Sequence, residues 1–158
     1  MNLHKIIASG LGTGYSPIAP GTAGSILGIL VLFFMNLIYG KFNFPQPIII
    51  VLNLVVILFV LLLGVYSIKK VHQIWEHDAP KIVIDEVVGV WIAAFVLPFQ
   101  WQYYFYALVL FRFFDILKPF YIRKLDNLKS DWSVMLDDVL AGVYANIVLQ
   151  TFIYFKIL

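Results

Sequence analysis

Residues 47–66 read PIIIVLNLVVILFVLLLGVY, twenty positions without one formal charge. At a helical rise of about 1.5 Å per residue they reach roughly 30 Å, the thickness of a bilayer's hydrocarbon layer. This stretch predicts a membrane-spanning helix. Four further apolar segments flank it, at 23–39, 82–97, 103–117 and 139–157. The last is close to the ~20 residues a crossing needs, and the others are shorter.

Composition agrees along the whole chain. Of its 158 residues 62% are hydrophobic and 13% charged, where a soluble domain carries about 25%. The expected fold class is all-α: a polytopic integral membrane helical bundle of about five membrane helices, preceded by a short amphipathic helix over residues 3–10. The length fits one domain, 1–158. A net charge of +2 is too small to argue for a nucleic-acid partner, and the absence of cysteine excludes disulfides. The N-terminus has neither a long apolar core nor a clear cleavage site, so it is not read as a signal peptide. Oligomeric state is not legible.

Basic residues orient the bundle. With five crossings, Lys5, Lys69, Lys70, Lys81, Lys118, Arg123, Lys124 and Lys129 share one side, and Lys41 and Lys156 fall on the other. The basic side is expected to be cytoplasmic. All nine acidic residues lie between Glu76 and Asp138, on that same side. Five of them, Asp85, Glu86, Asp115, Asp137 and Asp138, sit at or inside apolar segments. A carboxylate near hydrocarbon costs about 2.5–3.5 kcal/mol on insertion scales, so it is rarely there without a partner or a task.

Two adjacent pairs, Asp85-Glu86 and Asp137-Asp138, open apolar segments. Acids in a first helical turn favour the helix dipole, which accounts for one per helix but poorly for two neighbours that repel. Protonation or a divalent cation relieves such a pair. Hard cations such as Mg2+ take carboxylate oxygens together with substrate phosphates. Gly89 and Gly142 follow Asp85 and Asp138 by four residues and permit close helix approach on the acid-bearing faces.

Arg112, Asp115 and Lys118 recur every three residues, within about 120° of one helical face. Counted from Trp101, Arg112 lies roughly 16 Å and Asp115 roughly 21 Å along the helix. An Arg112–Asp115 ion pair neutralises itself, and Lys118 reaches the interface by snorkelling. Beside the two acid pairs, the same residues fit Asp115 on a metal and Arg112 or Lys118 on phosphate oxygens. Residues 10–24 are rich in Gly, Pro, Ser and Thr and read as a structured loop, with Thr22 or Ser25 capping the next helix. Such a loop either caps a helix or offers an anion its amides and dipole. His72 and His77 read as solvated, with His77-Asp78 an accessory proton donor at most.

Four stretches together resemble the phosphatidylglycerophosphatase A family. They are Ser16-Pro17-x-x-Pro20-Gly21-Thr22-x-Gly24-Ser25, Ile82-Val83-Ile84-Asp85-Glu86-Val87-Val88-Gly89, Phe111-Arg112-x-x-Asp115-x-x-Lys118-Pro119 and Met135-x-Asp137-Asp138-x-x-Ala141-Gly142. The resemblance spans about residues 6–145. It implies one all-helical membrane-embedded phosphatase domain that uses Mg2+ to remove the terminal phosphate of phosphatidylglycerophosphate, yielding phosphatidylglycerol. The site would work at the cytoplasmic face of the cell inner membrane, with membrane lipids as its surroundings. Asp85, Glu86, Asp115, Asp137 and Asp138 would be the catalytic and metal-binding acids. Thr22, Gly24, Ser25, Arg112 and Lys118 would bind the substrate phosphate. Tyr121, where the family often has proline, and the glycine-free stretch 129–133 depart from the pattern outside these positions.

Rival classes are weaker. A small cation transporter or channel using intramembrane carboxylates would distribute them from face to face. CDP-alcohol phosphotransferases carry an arginine that Asp138-Val139-Leu140-Ala141-Gly142 lacks. Histidine-based lipid phosphatases need a histidine in a membrane motif.

Overall fold

The computed structural model of the chain describes residues 2–76, 79–128 and 130–158. Every regular element among them is a helix: α1 (Leu3–Ala8), a 3-10 segment (Gly10–Tyr15), α2 (Pro20–Lys41), α3 (Gln46–Val71), α4 (Ile84–Ala93), α5 (Trp101–Leu117), α6 (Ile122–Asp126) and α7 (Asp131–Tyr154). The all-α expectation and the short N-terminal helix both stand.

Local chemistry sets the helix ends. Ala19 adopts a left-handed conformation (φ 46°) and hands Pro20 to the first turn of α2, where a ring-fixed φ and a missing N–H cost nothing. Ser130 and Ser133 close a reciprocal capping box at the start of α7, the Ser133 amide donating to Ser130 Oγ at 3.0 Å and the Ser130 amide to Ser133 Oγ at 2.9 Å. α5 stops at left-handed Lys118 (φ 44°), and Pro119 after it cannot continue a helix.

Among the described residues, α2, α3 and α7 are long and apolar enough to cross a membrane. α4 and α5 have 10 and 17 residues, about 15 and 26 Å of helix, and form a hairpin. The segment 82–97, read as a single crossing, is helical only to Ala93. Ending a helix in an apolar bundle leaves orphan carbonyls that lipid cannot satisfy. Asn146 of α7 solves this by donating its Nδ2 to the carbonyls of Ala93 (3.1 Å) and Phe95 (2.8 Å). Asn146→Leu keeps the bulk and deletes the donors. It is expected to destabilise the bundle by about 1–3 kcal/mol, read as a lower thermal midpoint in detergent.

α4 is the hub, with α2 and α7 packed along it and eight of its ten residues buried. Its crossing with α7 is unusually close. A Cβ on Gly142 would overlap the Gly89 carbonyl, and one on Gly89 would overlap the Phe111 ring and fall 2.8 Å from the Asp138 carbonyl. α3 buries few residues and turns Val51, Val55, Leu58, Phe59 and Leu62 outward. Such a face suits acyl chains rather than water, and the protein is a membrane protein.

Candidate metal-phosphate site

The close α4–α7 crossing places the acids. Asp85 lies four residues before Gly89, and Asp138 four before Gly142, so each acid stands one helical turn from the point of contact. One carboxylate oxygen from each of Asp85, Glu86 and Asp138 lies within 4.8 Å of the other two. Asp85 and Asp138 are 6% and 4% exposed. Glu86 Oε2 is buried and has no hydrogen-bond partner. Buried carboxylate atoms are seldom left unpaired, because the desolvation cost is then uncompensated.

Asp115 and Asp137 are held differently from this trio. Asp115 Oδ2 is 2.5 Å from Arg112 Nη1, an i,i+3 pair on α5, and the same guanidinium atom is 4.0 Å from Glu86 Oε1. Arg112 Nε is buried without a partner. Asp137 accepts from Lys118 Nζ at 2.8 Å, and Lys118 also donates to Asp126 Oδ1 at 2.6 Å. Burial would lower the Lys118 ammonium, but the two carboxylates outweigh it and hold its pKa above the ordinary value. Lys118 is thus engaged by carboxylates, and Asp137 by a cation of the chain itself. Asp126 was not singled out from sequence. It lies on α6 beyond Pro119, where no helical spacing links it to Lys118, and only the fold-back of α6 brings the two together.

The loop residues divide by their depth in α2. The first N–H groups of a helix have no partner within it. The Ala23 amide already donates to the Ala19 carbonyl, so the free amides are those of Gly21 and Thr22. Gly21 abuts the acids: a Cβ there would overlap Glu86 Oε1 and come within 3.1 Å of Arg112 Nη1. Half-buried Thr22 sits beside it. Gly24 packs instead against Val83, and the buried Ser25 hydroxyl donates to the Gly21 carbonyl at 2.8 Å. Of the loop residues named from sequence, Thr22 is in the first turn of α2 beside Gly21, which abuts the acids, while Gly24 packs on Val83 and Ser25 bonds to the helix backbone.

His72 is not solvated as expected. Its Nδ1 lies 2.6 Å from Asp131 Oδ1, tying the end of α3 to the start of α7. His77 and Asp78, the accessory donor pair considered from sequence, lie outside the described residues, as does Lys129.

The assembled centre is three clustered carboxylates, a guanidinium shared between Asp115 and Glu86, and two free helix-start amides. Its donors are hard oxygens of the kind Mg2+ prefers, and its positive groups suit a phosphate. The chain is 38% identical over 161 residues to a phosphatidylglycerophosphatase A of Haemophilus influenzae, covering 99% of this chain and 93% of that protein. It is 34% identical over 145 residues to the Escherichia coli protein of that name (90% and 78%). It is also 37% identical over 150 residues to a Bacteroides thetaiotaomicron protein named "Putative phosphatidylinositol-3-phosphatase" (93% and 91%). No solved structure matches it. The family profile described as Phosphatidylglycerophosphatase A matches residues 6–153, and by that match and these relatives the chain belongs to the phosphatidylglycerophosphatase A family.

Proposed function

We propose that this chain is an Mg2+-dependent lipid phosphatase. It hydrolyses the terminal phosphomonoester of phosphatidylglycerophosphate to phosphatidylglycerol and phosphate, at the cytoplasmic face of the cell inner membrane. The observation that carries the reading is the meeting of Asp85, Glu86 and Asp138 oxygens within 4.8 Å beside Arg112. Two relatives named phosphatidylglycerophosphatase A support the substrate. The concentration of basic residues at the acid-bearing end supports the cytoplasmic side.

The residues fit a hard divalent cation. The buried Glu86 Oε2 lacks any other partner, and three close carboxylates without a cation repel one another. Asp85, Glu86 and Asp138 would hold the ion, whose chemistry at such a centre is neutralisation of charge on phosphoryl oxygens. Asp115 holds Arg112 in place, and Arg112 offers its guanidinium to the phosphate. The start of α2, whose Gly21 abuts Glu86 and Arg112, would add the positive end of its helix dipole. Lys118, fixed between Asp126 and Asp137, adds positive charge at the edge of the acid cluster. A water oxygen bonds to phosphorus, the bond from phosphorus to the glycerol oxygen breaks, a carboxylate of the cluster takes the water's proton, and that proton passes to the departing glycerol oxygen to give the hydroxyl of the product. An aspartyl-phosphate route uses the same arrangement.

Confinement of the acids to one end of α4, α5 and α7 supports a headgroup site over an ion path crossing the bundle. The test is phosphate release from phosphatidylglycerophosphate by purified protein with Mg2+ or with a chelator, for wild type and Asp85→Asn. Release that needs Mg2+ and is lost in the variant is expected. Chelator-resistant release, or full activity in the variant, defeats the metal reading. Preferential turnover of phosphatidylinositol 3-phosphate moves the substrate toward the activity in the Bacteroides protein's name.

A further inference from the structure

We propose that the groove between α2 and α5 is the seat of a substrate acyl chain, which rests on the lipid-phosphatase reading above. The groove has a volume of about 310 Å³ and is lined by Ile26, Leu30 and Phe33 of α2 and by Leu108, Tyr104 and Trp101 of α5. Apart from the Trp101 indole N–H and the Tyr104 hydroxyl, the lining is apolar and carries no charge, so the groove suits an acyl chain better than a charged headgroup.

Its position assigns its occupant. α2 and α5 pack against each other. Gly21 lies five residues before Ile26 on α2, and Arg112 four residues after Leu108 on α5, and these two meet beside Glu86. The groove therefore opens one helical turn from the phosphate-binding residues. A phospholipid whose headgroup is held by Arg112 must send its chains away from the polar end into hydrocarbon, and this groove lies along that direction. From Arg112 to Trp101 is about 16 Å of helix, close to half of the ~30 Å hydrocarbon layer and so to the depth of one leaflet. The far end is closed by aromatics: the Phe33 ring stacks on Phe99 at 5.0 Å and meets Tyr104 edge-on at 5.5 Å. Aromatic side chains there are rigid walls with large contact area.

A second apolar groove, bounded by Leu27 and Val31 on another face of α2 and by Trp91 of α4, is the natural control. It is smaller, about 190 Å³, and is completed by residues of α1, the 3-10 segment, α3 and α4 instead of α5.

The experiment uses the full chain in phosphatidylcholine vesicles with phosphatidylglycerophosphate carrying a photoreactive diazirine on one acyl chain. Adducts are mapped by mass spectrometry. Adducts on residues 26–33 and 101–108, suppressed by excess unlabelled phosphatidylglycerophosphate but not by added phosphatidylcholine, are expected. Label spread over the outward face of α3 and insensitive to competitor overturns the groove. In parallel, Leu30→Trp is expected to lower the preference for diacyl over deacylated substrate about tenfold, as for displacing roughly two methylene groups from apolar contact. Leu27→Trp is expected to leave that preference unchanged. An unchanged preference in Leu30→Trp, with wild type turning over the lipid normally, sinks the groove and leaves the phosphatase intact. A wild type that releases no phosphate sinks the phosphatase reading, and the photolabel pattern still decides where the chain lies.

Discussion

Replacing Asp138 with Asn is expected to lower kcat/KM for phosphatidylglycerophosphate by about 100- to 1000-fold, the scale on which an active-site electrostatic group is lost. Asp137→Asn, one residue away, is expected to lose only about tenfold, the scale of a group that orients another. Sequence alone treats the two acids as equivalent. The structure separates them: Asp138 shares the 4.8 Å cluster with Asp85 and Glu86, while Asp137 accepts from Lys118 at 2.8 Å. In Asp137→Asn, Lys118 keeps its second carboxylate, Asp126 at 2.6 Å, so its position is largely retained. In Asp138→Asn the cluster loses one of its three carboxylates. The measurement is steady-state phosphate release titrated with Mg2+. The Asp138 variant should need more ion for half-maximal rate, and the Asp137 variant should not. Equal losses in both would refute the division of labour between them.

Gly142→Val is expected to be the most damaging change outside the charged residues. Its Cβ would overlap the Gly89 carbonyl and lie 3.1 Å from Ile92 Cβ. Backbone cannot rotate aside as a flexible side chain can, so α4 and α7 must separate. Overpacking of this kind costs about 1–3 kcal/mol, read as a lower thermal midpoint. Activity should fall further than stability alone explains, because a displacement of about 1 Å at a catalytic centre costs about 100-fold. The same substitution at Gly40, which has open space around its Cβ position, is the control and should leave activity near wild type. An active, stable Gly142→Val protein would mean that the close crossing does not position the acids.

The apolar runs were legible because lipid imposes a single length on any helix that crosses it, whatever its neighbours. The end of α4 was not. Apart from Asp85 and Glu86, Ile82 to Leu97 is apolar, yet the helix ends at Ala93, where Asn146, more than fifty residues on, donates to the carbonyls of Ala93 and Phe95. The glycines after Asp85 and Asp138 were readable as close-approach positions through their helical spacing. The bond of His72 to Asp131 left no such trace, since a lone histidine at a helix end looks the same whether or not a partner comes to it.

By itself, the sequence determined an all-helical membrane protein with its acids gathered toward one end, because burial in hydrocarbon penalises charge residue by residue and so writes itself into local composition. Tertiary structure alone decided which acids share a centre and which answer a cation of the chain. It also set Gly21, at the start of α2, against Glu86 and Arg112 and brought Asp126 to Lys118. Those outcomes depend on where separate helices touch, and contact across the bundle follows from packing geometry that no local spacing encodes.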